Sequence, residues 1–211
     1  MRLFHVVVAT LFCLISPLTV AASATNIFDA PEQVSPLLPG LSLPAATLKN
    51  SQNESITIKT LTEGKLSVLV VYRGGWCPYC SRQLAGLQKL EAKLAALNAQ
   101  VIAISPDAPE QLAKSTIPNP FYTLLSDDSL AFSQALGLAY YLDDKTALAY
   151  RNKMGVNFVA LDGTEKVALP VPAVFVVDKN GLVQFQYANP NYKVRLNEAV
   201  LLAAVQAASE I

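Results

Sequence analysis

Histidine is nearly missing from this chain and cysteine is sparse: 211 residues hold one histidine and three cysteines. Charge is thin as well, with 15% of residues charged and sixteen basic side chains balancing sixteen acidic ones. Such a surface lacks the basic field that nucleic acid or an anionic membrane needs, so neither is an expected partner. Internal repeats and low-complexity tracts are absent. What is abundant is apolar side chain, 52% of the chain, which argues for a packed core and against disorder. The length fits one ordinary domain with room for a leader.

The first two dozen residues read as that leader. Arg2 supplies a short positive start, and residues 3–20 are apolar apart from His5, Thr10, Ser16, Pro17 and Thr19. Ala22-Ser23-Ala24 then offers an A-x-A cleavage pattern. The competing reading is a membrane anchor. Pro17 near the end of a short run, followed by small residues and no basic flank, favours cleavage after Ala24 or Ala22. Phe12 ahead of Cys13 does not suit lipoprotein-type processing. The expected destination is an exported one, the periplasm, with no stable membrane span.

Cleavage would narrow the chemistry by subtraction. His5 and Cys13 leave with the leader, so the mature chain keeps only Cys77 and Cys80 and no histidine. Ser-His-Asp and Cys-His catalysis within one chain are then excluded. A structural zinc site needs four Cys or His ligands, and two remain, so no metal is expected. Nor is a cofactor expected beyond a redox-active Cys77–Cys80 disulfide. The two cysteines lie in Tyr72-Arg73-Gly74-Gly75-Trp76-Cys77-Pro78-Tyr79-Cys80, between a strand-like run and a helical pattern. Outward N–H groups and the dipole at a helix N-terminus lower a thiol's pKa, which is how C-x-x-C pairs work. A static disulfide closing so short a loop would restrict the unfolded chain little, so redox use is the better reading.

Residues 25–53 are rich in Pro, Ser and Asn and read as an extended lead-in over the surface of a domain spanning 54–211. Residues 55–61 alternate like a strand, and 66–72 read as a buried one. From Pro78 the period changes: Leu84, Leu87, Leu90, Leu94 and Leu97 form the stripe of an amphipathic helix. Further strands are expected at 101–105 and 121–125, and helices near 109–114, 129–136 and 143–151. A hairpin at 173–177 and 182–187 and a closing helix over 195–208 complete the pattern. The expected class is α/β, a central mixed sheet flanked by helices.

A C-x-x-C after a buried strand, a long helix, and later Val171-Pro172-Ala173-Val174-Phe175 together resemble the thioredoxin fold. The wider set resembles the AhpC/TSA peroxiredoxin-like family, through residues 72–80, Val101-Ile102-Ala103-Ile104-Ser105-Pro106-Asp107, Leu124-Leu125-Ser126-Asp127 and Val171-Pro172. The resemblance covers the chain from about Pro36 onward. It implies a thiol-dependent antioxidant oxidoreductase, whose substrate is a hydroperoxide or a protein disulfide and whose electrons come from an upstream thiol reductant protein. The likeness to the thioredoxin fold, for its part, implies a cis-proline at Pro172.

Departures from the family pattern qualify this. In P-x-x-x-T-x-x-C, Val70 and Gly74 occupy the Pro and Thr positions, and Pro172 stands near where the family has an Arg. Exported TlpA-type reductases tend to carry Glu three residues after the second Cys, where this chain has Gln83. The proton acceptor is thus unassigned. Thiol–disulfide exchange without peroxidase activity is the alternative reading, and a non-enzymatic binding module a second.

Cys77 is expected to attack and Cys80, one turn into the helix, to resolve the mixed disulfide or sulfenic acid. Arg73 is read as stabilising the thiolate or as a solvated surface group. Trp76 is read as shaping the rim or simply packing, and Tyr79 as touching a partner or covering the helix start. Gly74 and Gly75 allow the sharp turn, and Pro78 suits the first helical turn. Pro172 would present backbone to a substrate; its alternative is an ordinary trans proline at a strand start. Tyr140 and Tyr141 receive no role.

Overall fold

The computed structural model describes residues 27–114, 121–154 and 166–211. The expected leader, residues 1–24, lies outside them. The sheet is organised around β3 (Leu66–Val71), six consecutive buried residues, the pattern of a strand covered on both faces. It pairs in parallel with β4 (Ala99–Ser105) and antiparallel with β8 (Ala173–Val177). Beyond β4 lies β5 (Thr123–Ser126), again parallel, and then the short strands β1 (Thr47–Lys49) and β2 (Ser55–Thr57). Beyond β8 lies β9 (Val183–Ala188), giving a mixed seven-stranded sheet in the order β2-β1-β5-β4-β3-β8-β9.

The period of two along these strands divides the core. Val68, Val70, Val101, Ala103, Val174 and Val176 face one side. They meet Leu84 and Leu87 of α2 (Pro78–Gln88), Leu94 of α3 (Glu91–Ala96) and Leu201 and Val205 of α7 (Glu198–Ser209). Leu69, Val71, Ile102, Ile104, Phe175 and Val177 face the other. That side is closed by Ile58 of α1 (Ile58–Thr62) and Phe132 of α5 (Ala131–Ala135). Both cysteines belong to the first side.

Three expectations change. The strand expected over 55–61 stops at Thr57, because the Thr57 hydroxyl accepts from Thr60 N–H and starts α1 instead. The helix expected through Leu97 breaks after Gln88: Lys89 N–H and Leu90 N–H bond three residues back, to Gly86 and Leu87. Leu84, Leu87, Leu90 and Leu94 still share one core, so their spacing recorded burial, not one unbroken helix. The lead-in contributes β1, whose Leu48 is buried in the second core. A two-stranded sheet unforeseen in the sequence pairs β6 (Ala139–Tyr141) with β7 (Ala168–Pro170), and Phe28 bridges to Tyr140 at its edge. The remaining α-helices among the described residues are α4 (Pro109–Leu112) and α6 (Asp144–Met154). Among the described residues no helix is long and apolar enough to cross a membrane.

Candidate active site

The C-x-x-C segment leaves the C-terminal end of β3. Tyr72 N–H extends the ladder by one bond to Ile104 C=O, and the chain then turns through Arg73, Gly74 and Gly75. Gly74 has φ of +140°, a region open to glycine. A Cβ there would strike the Trp76 indole nitrogen and lie 2.7 Å from Asp107 Oδ1. Cys77 is the N-cap of α2, with Pro78 in its first turn. Cys77 N–H bonds to Gly74 C=O at 3.1 Å, and Cys80 N–H to Cys77 C=O at 3.0 Å.

Both sulfurs are free thiols, 1% and 0% exposed. Hydrogen bonding from Cys80 to Cys77 draws the two in opposite directions. It lowers the Cys77 pKa against the penalty of burial, and Arg73 and Arg195 add to the effect. Donation to Cys77, together with burial, pushes Cys80 strongly up. The pair is thereby split into a poised nucleophile and a held proton, the division of labour a C-x-x-C site uses.

Arg73 is not a solvated surface group: it is 1% exposed. Its guanidinium bonds to the Tyr150 hydroxyl at 3.1 Å and lies 4.2 Å from the Tyr192 ring, with Trp76 and Tyr150 each at 5.2 Å. Burial works against this cation, but Tyr140, Tyr150 and Cys77 more than offset it and hold Arg73 charged. Trp76 is half-buried and stacks obliquely on Tyr150 at 5.3 Å. Tyr79 meets Tyr192 edge-on at 5.7 Å. Arg73, Tyr140, Tyr150 and Tyr192 line a cavity of about 310 Å³.

Pro172 is buried one residue before β8. Its peptide bond is trans, correcting the cis-proline implied by resemblance. Trans is the favoured form of an X–Pro bond. Here the preceding Val171 N–H is already paired to Leu138 C=O, so the strand entrance is satisfied without a cis turn. The register of β3 and β8, Val71 opposite Ala173, places Pro172 beside the chain as it enters the C-x-x-C loop.

Four contributors were not read from sequence. Asp107, 7% exposed, accepts from Gly75 N–H at 2.7 Å and from the Ser105 hydroxyl at 3.1 Å, so it pins the glycine turn. Burial raises its pKa. Its sequence signals are its place just past a parallel strand and at the end of the 101–107 motif, and neither assigns it a role at the site. Arg195, 115 positions beyond Cys80, brings Nη2 to 3.3 Å from Cys80 Sγ. Nothing local in the sequence announces it. Tyr150 and Tyr192 were hidden equally well, in a helix and a loop far from the motif. Gln83 Oε1 is buried without a partner and lines a second cavity of about 220 Å³ with Tyr79, Arg82, Lys193 and Arg195. No cluster of three or more potential metal ligands occurs among the described residues.

Fold and site together define a dithiol protein of the thioredoxin class, with a helix-capping cysteine backed by a second thiol one turn in. Residues 39–186 match the AhpC/TSA family, and the chain belongs to that family. It is a thiol-dependent oxidoreductase of the peroxiredoxin type. Over 106 residues it is 32% identical to a putative peroxiredoxin bcp of Haemophilus influenzae, covering 50% of this chain and 68% of that one. Its fold is similar to that of reduced Prx3 from Vibrio vulnificus in complex with hydrogen peroxide. There the TM-score is 0.63 at 21% identity, with 80% of this chain and 99% of that one covered. The peroxidoxin BcpB of Mycobacterium tuberculosis gives a TM-score of 0.60 at 18% identity, covering 80% and 96%.

Proposed function

We propose that this protein is an exported dithiol peroxidase in which Cys77 attacks a hydroperoxide and Cys80 closes a disulfide. The observation that carries the reading is the split between the two thiols, with Cys77 lowered by the Cys80 hydrogen bond and by Arg73 and Arg195 while Cys80 is raised. The Cys77 thiolate attacks the distal peroxide oxygen and the O–O bond breaks. Cys77 becomes a sulfenic acid, and the departing oxyanion takes a proton to leave as water or an alcohol. Cys80 thiolate then displaces hydroxide from that sulfur, giving the Cys77–Cys80 disulfide and, with a proton, water. A partner dithiol restores both thiols through a mixed disulfide and leaves oxidised.

One observation favours thiol–disulfide exchange as a second reading. Gly74 occupies the position of the family's peroxide-holding Thr, and a Cβ there would collide with the Trp76 indole. No hydroxyl is offered to peroxide from that place. Stopped-flow oxidation of the reduced protein, followed by Trp76 fluorescence and thiol loss, separates the two. Peroxidase function predicts saturable Cys77 oxidation far faster than a free thiol. Free-thiol rates with brisk reduction of a protein disulfide would overturn it in favour of exchange. Export predicts that the mature protein, recovered from the periplasm of the producing cell, begins after Ala24 or Ala22; intact Met1 in the cytoplasm would refute it.

A further inference from the structure

The geometry points to Arg195 as a catalytic residue that holds the Cys80 sulfur as a thiolate, both when Cys80 attacks Cys77 and when Cys80 is expelled from the disulfide. This rests on the dithiol cycle proposed above. Cys80 is 0% exposed and lies where water cannot solvate a negative sulfur. A base to take its proton is missing from the expected position: Gln83 is uncharged, and its Oε1 is itself buried and unpartnered. Arg195 Nη2 reaches Cys80 Sγ at 3.3 Å, and Arg195 Nε is buried without a partner. The guanidinium therefore arrives largely uncommitted among the described residues, with a further hydrogen bond to Val194 C=O at 3.4 Å.

The groups facing Cys80 show why the task falls to Arg195. Cys77 and burial both work against a charged Cys80, and Tyr72 from the end of β3 has no positive charge to offer. Arg73 helps through its backbone N–H, while its side chain is engaged with Tyr150, Tyr192 and Trp76. Arg195 is the cation whose side chain touches this sulfur. A hydrogen bond from an ionised donor in such a site is among the stronger ones. Tying the helper to residues 194–196, just ahead of α7, also couples the second thiol to the 220 Å³ cavity that Arg195 shares with Tyr79, Arg82 and Lys193.

The test uses the reduced full chain and one equivalent of dithiobis(nitrobenzoate). Cys77 thiolate takes one thionitrobenzoate and releases the first; Cys80 thiolate then attacks Cys77 sulfur, expels the second and forms the disulfide. Release of only one equivalent by the wild type would overturn the dithiol cycle itself, separately from the role of Arg195. If both are released, the second phase reads Cys80 directly and needs no peroxide.

In Arg195→Met the second phase should slow by about threefold to tenfold near pH 7. That is the net of a lower thiolate fraction against the higher nucleophilicity of a more basic thiol. The deficit should shrink as pH rises toward full ionisation of Cys80, a crossover that a merely structural role would not produce. Arg195→Lys should keep part of the rate, and it carries the test should the Met variant fail to fold. An unchanged second phase, or a deficit equal at every pH in both variants, would overturn the assignment.

Discussion

The strands β4 and β5 end in parallel, side by side, and each delivers a serine and a buried aspartate; the two aspartates then do different things. Ser105 and Ser126 are register partners. Asp127, just past β5, accepts from Phe132 N–H at 3.1 Å and from Ser133 N–H and hydroxyl at 2.8 and 2.7 Å. All three donors lie within six residues, at the first turn of α5. Asp107, past β4, reaches across 32 positions to Gly75 N–H. One carboxylate starts a helix, and the other fixes the turn that aims Cys77. Burial alone does not distinguish them, since it raises the pKa of both. What separates them is whether the bonds return to the local chain or cross to the site.

The strongest way to break the comparison is Asp127→Ala. Three buried donors lose their acceptor, and a buried unsatisfied donor costs about 1–3 kcal/mol each. A loss of about 3 kcal/mol or more is expected in urea unfolding. Cys77 should be untouched: its pKa is drawn down to about 6, below the ordinary thiol value, which favours at pH 7 the thiolate that alkylation requires. The midpoint of alkylation against pH should stay near about 6 in this variant. A midpoint moved toward the free-thiol range would mean that Asp127 also sets the site.

Gly74→Ala follows in size and acts from the other side. The added Cβ meets the Trp76 indole and Asp107 Oδ1 at a φ of +140°. About 2 kcal/mol of stability should be lost, the scale of a strained backbone position. Cys77 alkylation at pH 7 should fall with it. Stability loss with unchanged alkylation would show that the turn does not position the thiol.

Asp107→Ala should cost less, about 1–2 kcal/mol, because it orphans mainly one backbone donor. Its mark is the reverse of Asp127→Ala: alkylation of Cys77 slows several-fold. Asp107→Asn keeps an oxygen for Gly75 N–H and should stay near the wild-type rate. Equal slowing in both variants would make the charge, and not the anchoring, responsible.

These contrasts explain what the sequence disclosed. β3, β4 and β8 were legible because period-two burial and β-branched side chains are local properties, and the C-x-x-C helix start was legible through Pro78 and the two glycines. Cys77 and Cys80 stood out because no other thiol is left once residues 1–24 are set aside. The strand at 55–61 was misjudged because one hydroxyl, that of Thr57, diverts the chain into α1. The site roles of Asp107, Arg195, Tyr150 and Tyr192 were invisible for a different reason. Each acts through a contact with the 73–80 segment made from 32 to 119 positions away, and no periodicity encodes such a meeting. Arg73 belongs to both groups: its place beside Cys77 was plain, while its burial among three aromatic rings needed the fold.

The smallest expected effect is the sharpest test, because it compares the two serines themselves. Ser105 Oγ donates to Asp107 and meets the Tyr72 hydroxyl, so Ser105→Ala should cost about 1 kcal/mol, the net worth of a buried hydrogen bond. Ser126 Oγ is equally buried and has no partner among the described residues. Removing an unsatisfied hydroxyl relieves its desolvation penalty, so Ser126→Ala should be neutral or raise stability by a few tenths of a kcal/mol. Paired urea unfolding curves decide the matter. Should Ser126→Ala prove as costly as Ser105→Ala, the end of β5 would hold a polar network of its own, and the division between a fold-building and a site-building strand end would fail.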